Sequence, residues 1–113
     1  MGQMPEMMTH WYSIRKQYPK NYLLAYRMGD FYEFFYDDAV NVSKLLGLTL
    51  TYRGSGPSRH PLAGLPHKAT QHFKSLVKLG QTVIIVEQLE DPKKATGKIV
   101  KRGVVRILSP GTV

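Results

Sequence analysis

The stretch Tyr22-Leu23-Leu24-Ala25-Tyr26-Arg27-Met28-Gly29-Asp30-Phe31-Tyr32-Glu33-Phe34-Phe35-Tyr36 decides how the chain reads. Tyr22 to Met28 is rich in aromatic and aliphatic residues, which suit a buried pleated strand. Gly29-Asp30 is a turn signal. Phe31 to Tyr36 supplies a second aromatic-rich strand, so the two can pair as a hairpin. Asp37 and Asp38 follow at once, in the place of a helix cap and a first-turn acid. Ala39, Val42, Leu45 and Leu46 give that helix an apolar face, and Gly47 closes it.

Working outward, Met4, Met7, Trp11, Ile14 and Tyr18 fall at helical steps and form one apolar stripe, with Pro19 as its stop. About residues 1–7 are nonetheless expected to be disordered. Downstream, Leu48 to Arg53 reads as a third strand and Gly54 to Pro61 as a loop. Pro66 is expected to open a helix with Ala69, Phe73, Leu76 and Val77 on one face and Gly80 as its stop. Thr82 to Gln88 is a strongly apolar strand. Asp91-Pro92 begins a helical turn, and Val100 to Leu108 is a last strand with a break expected at Gly103. Strands and helices alternate, which predicts an α/β domain: a mixed β-sheet of about five to six strands flanked by about three helices.

The chain has 113 residues, enough for one core and too few for two, so residues 1–113 are read as a single domain. Apolar residues are 42% and charged residues 21%, which are globular proportions. Cysteine is absent, which excludes a disulfide scaffold, a thiolate nucleophile and a thiolate metal site. No apolar run is long enough to span a bilayer, and Met1 to His10 has no secretory pattern, so a cytoplasmic setting is expected. Sixteen basic residues against eight acidic ones give a net charge of +8. Between Ala39 and Val86 there are six bases (Lys44, Arg53, Arg59, Lys68, Lys74 and Lys78) and no acid. A polyanionic partner is implied, nucleic acid ahead of a membrane surface.

Strand alternation puts Phe31, Glu33 and Phe35 on one face and Tyr32, Phe34 and Tyr36 on the other. An ionised Glu33 in the middle of a buried face would be costly. The simplest resolution turns Tyr32 and Phe34 into the core and leaves Phe31 and Glu33 side by side at an exposed edge. The plain interpretation is a partly packed ring beside a solvated acid. The functional one is an aromatic ring that stacks on a base or wedges into a step, beside a carboxylate that pairs with a base edge and cannot be a phosphate contact.

Other readings stay open from the residues alone. Asp30, Glu33, Asp37 and Asp38 could hold Mg²⁺ as in a metal-dependent nuclease, although cap and turn roles explain most of them. Gly54-Ser55-Gly56-Pro57-Ser58-Arg59 starts like a phosphate loop but lacks the last glycine and the following helix. His10, His60, His67 and His72 have no ligand-like grouping and read as surface residues. A docking module with no role at DNA is the remaining alternative.

Several segments, in order, resemble a known family. They are Tyr26-Arg27-Met28-Gly29-Asp30-Phe31-Tyr32-Glu33, Phe35-Tyr36-Asp37-Asp38-Ala39, Leu62-Ala63-Gly64-Leu65-Pro66, Val86-Glu87-Gln88-Leu89-Glu90-Asp91-Pro92 and Val105-Arg106-Ile107-Leu108-Ser109-Pro110-Gly111-Thr112. From about Met8 onward the chain is similar to the N-terminal mismatch-recognition domain, domain I, of the MutS family. Leu62 stands where Met is common in that family, and His67-Lys68 where Tyr-His is common.

The resemblance implies binding of duplex DNA carrying mismatches or small loops. Phe31 would stack on the mispaired base from the minor groove, and Glu33 would hydrogen-bond it. Met28 would lie near the same groove, and Arg53, Ser55, Ser58 and Arg59 near the DNA backbone. It further implies a fragment of a longer multidomain ATPase that is cytoplasmic and nucleoid-associated and dimerises through other domains. No cofactor and no catalysis are expected in this domain, ATP and Mg²⁺ belonging to the remainder, and no membrane partner is expected.

Overall fold

The computed structural model describes residues 4–97 and 99–111. Helix α1 spans Met4–Arg15, strands β1 and β2 span Leu23–Met28 and Phe31–Phe35, and helix α2 spans Asp37–Leu46. Then come β3 (Thr51–Arg53), β4 (His60–Pro66), α3 (Gln71–Lys78), β5 (Val83–Gln88) and β6 (Arg102–Leu108). The six strands form one sheet in the order β3-β4-β2-β1-β5-β6. β1 and β5 run parallel and the other neighbours antiparallel. The expected mixed α/β sheet with three helices is what the chain forms.

The hairpin forms as read, with Tyr26 opposite Glu33 and Met28 opposite Phe31. Gly29 turns the chain at φ 59°, a backbone angle that glycine adopts without the steric cost of a Cβ. Both sheet faces are covered, which explains the continuous apolar runs in the inner strands. Leu23, Ala25, Tyr32, Phe34, Ala63, Leu65, Val83 and Ile85 face α2 and α3, where Ala39, Val42, Phe73 and Leu76 meet them. Leu24, Tyr26, Phe35, Leu62, Ile84 and Val86 face α1, packed by Trp11 and Ile14. Tyr32 and Phe34 are therefore core residues, as alternation predicts.

Five local readings are corrected. Residues 60–66, split between a loop and a helix start, form β4, which lies between β3 and β2. Its prolines hid it, but Pro61 and Pro66 sit near its two ends, where a missing N–H is tolerated. The helix expected from Pro66 begins only at Gln71, because His67 is held back by its N–H donating to the Asp30 carbonyl at 2.8 Å. The third strand is only Thr51–Arg53. The irregularity in β6 falls at Val105, skipped between the pairs Ile85–Arg106 and Val86–Val104, and not at Gly103, which pairs with Glu87. Of residues 1–7, expected to be disordered, 4–7 belong to α1 with Met7 buried, and 1–3 lie outside the described residues.

Asp38 is not a simple first-turn acid. The N-cap of α2 is Tyr36, at φ 55° and without a side-chain cap. Asp38 is only 3% exposed, accepts the Leu24 N–H at 3.2 Å and pairs with Arg15 Nε at 3.2 Å. Arg15 Nη2 in turn donates to the carbonyls of Lys20 and Tyr22, both at 2.8 Å. One carboxylate therefore ties α1, β1 and α2 together.

Burial, only partly offset by Arg15 and the Leu24 N–H, lifts the Asp38 carboxyl from its ordinary 3.8 to about 6. The folded state then holds this proton more tightly than the unfolded chain, so its contribution favours folding below pH ~4 and fades as pH rises through ~6. The expected outcome is that Asp38→Asn gains stability relative to wild type by up to ~3 kcal/mol as pH is raised from 4 to 7. Urea unfolding of both proteins across that range checks it, and a constant difference would refute it.

Candidate nucleic-acid interface

The sheet face under α1 is covered unequally. Phe35 and Phe31 lie on the same face of β2, yet Phe35 is 2% exposed and Phe31 45% exposed. Phe35 meets the Trp11 ring edge-on at 5.8 Å. Phe31, at the other end of the strand, lies between Met28 of β1 and Pro66 of β4. The exposed-edge expectation needs a correction here. β2 is an inner strand, so Phe31 is exposed because its end of the face is left uncovered. An inner strand holds its backbone on both sides, which makes a rigid mount for an outward ring.

Glu33 is also corrected, from solvated to half-buried. It stands opposite Tyr26 on one side and Gly64 on the other. Its Oε1 is buried and accepts no hydrogen bond. Burial raises its pKa above the ordinary carboxylate value, and the Arg53 charge works in the opposite direction. Such an acid is poised to take up a proton or a donor supplied from outside.

The turn that carries Phe31 is braced. Arg27 Nε donates to the Gly29 carbonyl at 2.6 Å, and its Nη1 reaches both Glu87 oxygens at 3.1 and 3.2 Å. The Tyr32 hydroxyl also donates to Glu87. Burial, then the Glu87 hydrogen bond and charge, pushes the Tyr32 phenol up to about 12. Arg102 adds a bond from Nε to the Arg27 carbonyl at 2.7 Å, with its guanidinium over the Tyr26 ring. The Tyr26 hydroxyl meets His10 Nδ1 of α1 at 2.9 Å. Apart from the Arg27–Gly29 bond, these bracing contacts were not legible in the sequence, since each joins residues far apart in the chain.

Met28, Phe31 and Glu33 are thus brought together, and Arg53, the last residue of β3, is near enough for its charge to act on Glu33, whereas Ser55, Ser58 and Arg59 are not part of that cluster. The latter belong to the β3–β4 connection, at the opposite end of β4 from Pro66. At ~3.3 Å per strand residue the two ends of β4 are roughly 20 Å apart. The connection is compact, with Ser58 Oγ donating to the Ser55 carbonyl at 2.8 Å. Arg59 lies 4.1 Å above the exposed Tyr52 ring. His60, expected at the surface, is 8% exposed and stacks on Tyr36 at 5.1 Å.

The acids expected to be able to hold Mg²⁺ do not converge. Among the described residues no group of three His, Asp or Glu side chains could hold a metal ion. Nor is any described helix long and apolar enough to cross a membrane.

A family model described as MutS domain I matches residues 5–113. The chain belongs to the MutS domain I family. Relatives named DNA mismatch repair protein MutS include one from Lactococcus lactis subsp. cremoris (strain MG1363), 50% identical over 107 residues. That alignment covers 93% of this chain and 12% of the relative. A second, from Lactobacillus helveticus (strain DPC 4571), is 50% identical over 109 residues, 95% of this chain and 12% of its own. A third, from Streptococcus uberis (strain ATCC BAA-854 / 0140J), is 51% identical over 108 residues, 94% of this chain and 12% of its own. The chain therefore spans about an eighth of the length of these relatives. The MutS domain I match takes in both the β1–β2 hairpin and the β3–β4 connection.

The exposure of Phe31 sets a stability contrast. Phe31→Ala should shift unfolding by less than ~1 kcal/mol, since the ring is nearly half in water. Phe34→Ala, which empties a fully buried site, should cost about 3–5 kcal/mol. Denaturant titration of the two variants measures both, and equal losses would show that Phe31 is a core residue.

Proposed function

We propose that this domain recognises mispaired or unpaired bases in duplex DNA, with Phe31 as a minor-groove wedge and Glu33 as the base-pairing acid. The observation that carries the reading is an exposed aromatic ring on a braced inner strand, two residues from a half-buried acid with a free oxygen. Membership of the MutS domain I family and the names of the relatives support the same reading.

Wedging a ring into a base step unstacks and kinks the duplex at a cost of a few kcal/mol. A mispaired or looped-out site has already lost part of its stacking and pairing, so its cost is lower. Discrimination then comes from the deformability of the substrate, which lets one ring serve many mismatches. Glu33 adds a contact to the displaced base. Its pKa is already raised by burial, and nearby phosphates raise it further, which favours a partly protonated carboxyl that donates an O–H to a base acceptor. Met28 flanks the wedge. Arg59, with Ser55 and Ser58, holds the sugar–phosphate backbone about two nanometres from Phe31, a distance comparable to the width of a duplex, and Arg53 holds it closer to Glu33.

The domain in this reading binds and does not catalyse. ATP hydrolysis and dimerisation belong, in the same proposal, to the rest of a protein of the relatives' length, working in the cytoplasm at the nucleoid.

The test installs this chain in place of the matching 107 residues of the Lactococcus lactis relative. Affinities for a G·T heteroduplex and its homoduplex are then measured together. Phe31→Ala should lower heteroduplex affinity by ~10- to 100-fold and leave homoduplex affinity nearly unchanged, the scale of one base–aromatic stack. Unchanged discrimination would refute the wedge.

Heteroduplex affinity should also strengthen as pH is lowered toward the ordinary carboxylate range, since a carboxyl with a raised pKa gains its proton in that direction before an ordinary one does, and Glu33→Gln should flatten the dependence. Arg53→Ala and Arg59→Ala should each weaken binding to both duplexes and reduce the salt slope by about one.

A further inference from the structure

We propose that Gly64 is a specificity-determining position: its bare backbone is the seat onto which the Glu33 side chain folds, and it sets where the carboxyl stands for reading a base. This rests on the reading of Glu33 given above. Gly64 pairs directly with Glu33 across β2 and β4. A Cβ built on Gly64 would lie 2.8 Å from Glu33 Oε2, 3.0 Å from Oε1 and 3.1 Å from Cδ. All three atoms are closer than ordinary van der Waals contact allows, so the carboxyl occupies the space that any side chain at position 64 would need.

Backbone conformation does not account for this glycine. Its φ lies outside the left-handed region adopted by Gly29, Gly47, Gly54, Gly56 and Gly80. It sits mid-strand, where glycine is usually unfavourable and marks a close approach by another group. That group here is the acid.

The remaining surroundings leave the carboxyl few other places to settle. Tyr26 of β1 stands opposite Glu33, its hydroxyl held by His10 of α1 and its ring beneath Arg102 of β6. The Arg53 charge of β3 acts on the acid, and its Oε1 stays buried without a partner. Lying over Gly64 keeps the carboxyl half-buried and two residues from Phe31, within reach of whatever that ring displaces. A methyl group at position 64 would push it toward solvent. The clash is with the flexible end of a side chain, so the sheet itself need not move.

The test uses Gly64→Ala, Glu33→Ala and the double variant. In the 113-residue chain, carbon-detected NMR follows the Glu33 carboxyl through its titration. Gly64→Ala is expected to lower the Glu33 pKa toward its ordinary 4.5 and leave the melting temperature nearly unchanged. In the Lactococcus lactis chimera, Gly64→Ala is expected to reduce G·T-over-homoduplex discrimination by about 3- to 10-fold, the scale of one hydrogen bond. Beside Glu33→Ala it should add no further loss.

An unmoved Glu33 titration, or a loss that adds fully to that of Glu33→Ala, would overturn the seat. So would unfolding by Gly64→Ala that persists beside Glu33→Ala, since the glycine would then serve the backbone. If Glu33→Ala itself leaves discrimination intact, the base-reading assignment falls and takes the specificity role with it. A shifted titration in that case would still identify Gly64 as the seat, which separates the two failures.

Discussion

The arrangement depends on how far α1 reaches across one face of an inner strand. β2 has neighbours on both sides, with Phe31 to Glu33 paired to β1 as well as to β4, so the register of its side chains is fixed. Alternation then gives Phe31, Glu33 and Phe35 the same face. Trp11 of α1 covers Phe35, and the cover ends before Phe31. Along five residues the same face passes from dry core to open surface, with the acid at the boundary. An aromatic ring that would otherwise be buried is thereby presented on a rigid support.

The boundary position also governs the chemistry of Glu33. Deeper burial without a partner would favour the neutral carboxyl further, and full exposure would leave it an ordinary anion that repels phosphates. Half-burial raises its pKa, and the Arg53 charge limits the rise. Ionic bracing is placed on the opposite side of the hairpin, where Arg27, Tyr32 and Glu87 satisfy one another. Partners are thus concentrated where the turn must be held, while an oxygen of Glu33 is left without one.

Much of this was legible in the chain. The hairpin, the core roles of Tyr32 and Phe34, the helix from Asp37 and the turn at Asp91-Pro92 all follow from local pattern. Asp91 Oδ1 accepts the Lys93 N–H at 2.9 Å, as a cap should. β4 was missed because Pro61, Gly64 and Pro66 are loop residues by propensity, and only pairing with β2 and β3 makes them a strand. Had that segment been read as a strand, its central glycine would have signalled a close neighbour. Asp38 was misread because a cap role explains an acid at a helix start, and its bond to Leu24 and pair with Arg15 require the folded arrangement of three elements. The burial of His60 against Tyr36 is likewise a product of packing.

The chain by itself determined most of the strands and helices, though not β4, together with its basic balance and the pairing of a ring with an acid two residues on. These follow from periodicity, turn chemistry and charge, which act over a few residues. Tertiary structure decided that β2 lies inside the sheet, that α1 covers one end of its face, that Glu33 rests over Gly64, and that the β3–β4 connection lies far from Phe31. Those outcomes depend on which distant segments come into contact, and burial and hydrogen bonding between them are settled only when the whole core closes.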